Sequence, residues 1–62
     1  MEWKNTAFKF RETAELCKKE LDEAGIRTDF YIIGDGYYYI GWCPVGRAQT
    51  QKAIEIVTSH ID

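Results

Sequence analysis

The chain has 62 residues, eight of them basic and ten acidic, for a net charge of −2. Such a length holds one small domain, and 45% hydrophobic against 29% charged residues are ordinary globular proportions that exclude a disordered chain. The acidic balance excludes a protein held to duplex DNA or an anionic membrane by charge alone, and no apolar run approaches the roughly 20 residues of a membrane-spanning helix.

The opening Met1-Glu2-Trp3-Lys4-Asn5 has no apolar region of the kind a secretory signal carries, so a soluble cytoplasmic protein with no membrane partner is expected. A core of this size supplies on the order of 3–5 kcal/mol of net stability, and domains this small usually add a disulfide, a metal or a partner. Cys17 and Cys43 are too few for a disulfide framework. The missing support is therefore expected to be a partner chain, a second copy of this chain included.

In chain order, residues 2–10 admit two readings. Trp3, Ala7 and Phe10 extend a helical stripe backwards from the helix that follows, whereas Thr6, Phe8 and Phe10 alternate with Ala7, Lys9 and Arg11 at strand period. The strand is preferred, because a helix would crowd Lys9 and Arg11 at its positive end. Ala14, Cys17, Leu21 and Ala24 follow the i, i+3, i+7 spacing of one helical stripe, which predicts a helix over 11–24 with Leu16 at its flank. Gly25 stands where a left-handed residue ends such a helix.

Phe30-Tyr31-Ile32-Ile33 and Tyr37-Tyr38-Tyr39-Ile40 are β-branched and aromatic runs joined by Gly34-Asp35-Gly36, a hairpin signature. A three-residue loop places Phe30, Ile32, Tyr38, Ile40 and Trp42 on one face. Tyr31, Ile33, Tyr37, Tyr39, Gly41 and Cys43 then share the other, whereas a two-residue turn shuffles the sets. Pro44 ends the second strand. A last helix over 47–60 presents Ala53, Ile54, Ile56, Val57 and Ile61 as a broad apolar face.

The fold class is thus a small two-layer α+β sandwich in the order β-α-β-β-α, or α-β-β-α without the first strand. The helices cover one face of a short mixed or antiparallel sheet. The right-handed crossover rule puts the third strand between the other two and leaves one sheet face open. Thr13-Ala14-Glu15-Leu16, Leu21, Ala24-Gly25-Ile26 and Tyr39-Ile40-Gly41 are similar in spacing and residue class to SPOR-type repeats, over about two-thirds of the chain. That resemblance implies a ferredoxin-like sheet and binding to peptidoglycan glycans. The chain departs from it at Trp42-Cys43-Pro44-Val45 and lacks a fourth strand.

Catalytic and cofactor motifs fall away one by one. Gly41 to Ala48 nearly spells the phosphate-binding GxxxxGK[ST], but Arg47 and Ala48 replace the lysine and the magnesium-holding hydroxyl. What is left is a candidate anion site on the Gly46 amides and Arg47 at a helix start. Gly34-Asp35-Gly36 lacks the third glycine of a dinucleotide fingerprint, since Tyr39 stands there. Cys17, Cys43 and His60 are too scattered for a zinc site or a nucleophile pair. No metal, cofactor or catalytic residue is expected.

The tyrosines carry the functional expectation. Tyr31, Tyr37 and Tyr39 on an open face suit a protein interface, since tyrosine buries area at low entropic cost and keeps a polar tip. Glu12 and Glu15 on the solvated side of the first helix are assigned to the same docking surface. The expected function is a small non-catalytic regulator or inhibitor acting stoichiometrically on a larger protein; phage-encoded inhibitors of host defence are of this kind. The alternative is a single-stranded nucleic-acid binder stacking bases on the same tyrosines.

Overall fold

A computed structural model describes residues 2–61. Five elements follow in the order β1 (Lys4–Phe8), α1 (Arg11–Glu23), β2 (Arg27–Tyr31), β3 (Tyr38–Cys43) and α2 (Gly46–His60). The strand reading of the amino-terminal segment therefore stands, and the α-β-β-α alternative does not. β1 and β2 both pair antiparallel with β3, which lies between them. The central place of β3 follows from the crossover of α1 from one edge to the other. No fourth strand is present among the described residues, so the sheet is smaller than a ferredoxin-like one.

α1 forms because its apolar residues share one stripe: Ala14, Cys17 and Leu21 are completely buried against the sheet. It ends in a Schellman motif. Gly25 adopts φ +79, its N–H donates to the Asp22 carbonyl at 3.0 Å, and the Ile26 N–H reaches the Leu21 carbonyl at 3.0 Å. Ile26 and Leu21 are both core residues, so the cap leads into β2 with an inward side chain at the residue before the strand. Gln49 of α2 locks this corner: its amide oxygen accepts the Val45 N–H at 2.9 Å and its amide nitrogen donates to the Gly25 carbonyl at 3.3 Å.

On the sheet, Phe8, Ile40 and Trp42 are buried beneath the helices, with Phe30 and Tyr38 packed at the margin. The buried Trp42 indole donates to the Thr6 hydroxyl at 3.0 Å, so it carries no unsatisfied group into the core. Across the helix layer, His60 Nε2 lies 3.1 Å from a Glu20 carboxylate oxygen.

The expected inner face is shorter than the sequence suggests. Ile32 is 52% exposed and Ile33 64% exposed, because β2 ends at Tyr31. The chain widens there through two left-handed glycines, Gly34 at φ +82 and Gly36 at φ +92. Ile32 is therefore not a core residue. α2 buries only Ala53, Ile56 and Val57, while Ile54 and Ile61 are exposed. A helix resting on one layer buries a narrow stripe, and Ile54 lies about 100° around from Ala53. Leu16 is likewise exposed on α1.

Cys17 has no exposed surface, and its thiol is pushed from an ordinary value of 9.0 up to about 11 by burial, with the Glu20 carboxylate adding to it. The folded state thus holds the proton more tightly than the unfolded chain. The associated stability is present in full below about pH 9 and is lost as pH rises to about 11. Denaturant unfolding at both pH values should show a larger loss of stability in the wild type than in a Cys17→Ala protein. A thiol reagent should modify Cys17 only on unfolding.

Candidate functional site

The helices occupy one side of the sheet, so the outer side is read from the register. Tyr31 faces Tyr39, Asp29 faces Gly41 and Asn5 faces Gly41 from the other edge. These residues alternate with the buried Ile40 and Trp42 and therefore point away from the core. The hairpin register is the one a three-residue loop implies, and Tyr31 and Tyr39 share the outer face as expected.

The two rings stack with centroids 5.2 Å apart and planes 6° from parallel. Their hydroxyls are held at both ends. Tyr31 donates to the Asn5 side-chain oxygen at 2.7 Å, and Tyr39 donates to the Asp35 carboxylate. The other Asp35 oxygen accepts the Tyr37 N–H at 3.0 Å. The Tyr39 hydrogen bond holds the Asp35 carboxyl below its usual range, and the same bond pushes the Tyr39 phenol up to about 12. At neutral pH the face therefore presents a neutral phenol bound to a fixed carboxylate.

Tyr37 does not join this pair. Accepted by Asp35, its N–H belongs to the turn, and β3 begins one residue later. Its exposed side chain lines a cavity beside Phe10 instead of the stack. Glu12 and Glu15 also fall away from the tyrosines. They lie on α1, on the far side of the sheet, and Glu15 is engaged by Arg11 at 3.3 Å. One flat partner cannot touch both. Gly46 and Arg47 begin α2 at the end of the sheet remote from the hairpin turn. There the Thr50 hydroxyl donates back to the Gly46 carbonyl at 2.7 Å and Gln49 accepts the Val45 N–H, while no side chain caps the amides of the first turn of α2.

Two outer-face residues escape the sequence reading. Asn5 supplies the hydrogen bond that orients Tyr31. Trp3, half-exposed, lays its ring over Gly41: a Cβ built on that glycine lies 3.6 Å from Trp3 Cε3 and 3.3 Å from Asn5 Oδ1. A glycine at position 41 leaves room for the indole to approach the strand this closely. Continued by one residue, the β1 register sets Trp3 opposite Cys43. That thiol has no exposed surface, although it stands on the outer side of the sheet.

Among the described residues, no group of three or more His, Cys, Asp or Glu side chains could hold a metal ion. No helix among them is long and apolar enough to cross a membrane. Comparison with protein-family models, with curated proteins and with solved structures finds no match to this chain.

Proposed function

We propose that this protein is a non-catalytic binding module that docks stoichiometrically on a larger protein through the outer sheet face. The observation that carries the reading is the stacked, half-buried Tyr31–Tyr39 pair, its hydroxyls bonded to Asn5 and Asp35, on a face no helix covers. Rings fixed in advance lose little entropy on binding, and both keep a polar tip at the surface. The half-exposed Trp3 ring extends the same platform.

Charge favours a protein over a nucleic acid as partner. Asp35 is bonded to Tyr39, and Asp29 precedes Tyr31 by two positions on the same face. Both carboxylates repel a phosphate backbone passing over the rings. Area favours a larger partner over a second copy. Three strands about 4.8 Å apart and about 20 Å long offer a footprint on the order of 300 Å². Even doubled for side-chain relief, that is short of the roughly 800 Å² per partner of a stable complex. The partner must therefore extend beyond the strands to the Trp3 ring and the Asp35 carboxylate. The two unpaired buried thiols fit a reducing, cytoplasmic setting.

The test is capture from lysate with three immobilised forms of the protein. Wild type and a Glu12→Gln/Glu15→Gln form should retain the same protein, and a Tyr31→Ser/Tyr39→Ser form should lose it while its circular dichroism stays that of the folded chain. Retention by the tyrosine variant with loss by the glutamate variant moves the site to α1. Release of wild-type partner by modest salt, together with recovery of nucleic acid, supports the base-stacking alternative.

A further inference from the structure

The two edges of the sheet differ. In β2 the Phe30 N–H is taken by the Asp29 carboxylate at 3.0 Å, and the Thr28 hydroxyl is taken by Asp22. The side-chain-to-backbone hydrogen bonds of the described residues lie in β2, the hairpin turn and α2 with its approach, and none involves β1. β1 is the outermost strand on its side, so half its backbone groups have no ladder partner.

That free edge ends in a cavity of about 230 Å³. Phe8, Phe10, Tyr37 and Ile61 supply apolar walls, and Lys9 and His60 line it as well. Phe10 is 66% exposed there, an unusual position for a phenylalanine at the start of a helix. The volume is below the roughly 300 Å³ at which small-molecule sites begin, and suits a single large side chain. Charge is asymmetric too. Residues 4–11 carry Lys4, Lys9 and Arg11 and no acid, in a chain of net charge −2. Lys4 is paired with Glu2 and Arg11 with Glu15, whereas Lys9 has no ion pair among the described residues.

We propose that the free edge of β1 is a strand-addition site for an extended, acidic segment of a partner protein, one apolar side chain of which fills the cavity while a neighbouring carboxylate meets Lys9. Main-chain hydrogen bonds to the edge give the affinity, and the cavity and Lys9 select the sequence. Because side chains of an extended segment alternate, the segment carries apolar and acidic residues in turn. This site is separate from the tyrosine face and stands whether or not that face binds. The opposing explanation is that Lys4 and Lys9 only guard an edge against aggregation.

The probes are labelled heptapeptides read by fluorescence anisotropy against the full chain. One alternates Glu and Leu, one alternates Lys and Leu, and one is the Glu/Leu peptide methylated at alternate backbone nitrogens. The Glu/Leu peptide should bind, with the other two weaker by roughly tenfold or more. Lys9→Glu, an exposed change that leaves the fold intact, should reverse the preference between the acidic and basic peptides. Amide shifts on binding should concentrate in residues 4–9. No binding of the Glu/Leu peptide up to roughly 1 mM, equal binding of the methylated peptide, or shifts confined to β2 overturns the proposal.

Discussion

Replacing Leu21 by alanine is expected to leave the protein largely unfolded at room temperature. Leu21 has no exposed surface, lies on the α1 stripe between Cys17 and the sheet-facing end of the helix, and shares the helix cap with Ile26. Large-to-small changes at such sites cost about 2–5 kcal/mol, because the cavity collapses only in part. That is comparable with the whole net stability of a domain this small, on the order of 3–5 kcal/mol. Leu16→Ala is the internal control. It sits on the same helix but is exposed, so its cost should stay within about 0.5 kcal/mol. Thermal melts followed by circular dichroism separate the two; equal melting points contradict the core assignment.

Tyr39→Ser is expected to have the largest effect on partner binding for the smallest effect on folding. The change removes one ring of the stack and the phenol that holds Asp35. A cross-strand pair of this kind contributes roughly 0.2–1 kcal/mol to stability. A central aromatic anchor contributes 2 kcal/mol or more to binding, about a thirtyfold change in affinity. Tyr39→Phe keeps the ring and frees the carboxylate, so its loss should be intermediate. Tyr37→Ser should leave binding at this face unchanged, since its ring lines the cavity at the β1 edge. Titration calorimetry with the captured partner gives all three values. A Tyr37 effect equal to that of Tyr39 contradicts the division of the tyrosines.

The elements were legible where one local signal dominated. The Ala14, Cys17, Leu21 spacing and Gly25 mark α1 and its end without tertiary information, and the observed register, Tyr31 opposite Tyr39, is the one a three-residue loop implies although residues 32–37 all lie outside the strands. Strand ends were not legible. Ile32 and Ile33 have strand propensity, yet the Asp35 hydrogen bonds to Tyr37 and Tyr39 hold the turn open and carry them out of the ladder. Trp3 and Asn5 join the site only through the pairing of β1 with β3, a long-range contact with no local signature. Spacing along α1 shows that Glu12 and Glu15 are solvated, but solvation alone does not join them to the tyrosines, which the sheet separates from the helix layer. Ile54 was misplaced for a related reason: how wide a stripe a helix buries depends on what packs against it.

Hydroxyl-radical footprinting of the protein, free and bound to its captured partner, tests the central claim most directly, because it reads side chains one at a time. On binding, Trp3, Tyr31 and Tyr39 should lose most of their reactivity, while exposed Leu16 of α1 and Ile54 of α2 keep theirs. Protection of Leu16 and Ile54 with unchanged reactivity at Tyr31 and Tyr39 contradicts the account, and places the partner on the helix layer instead of the open sheet.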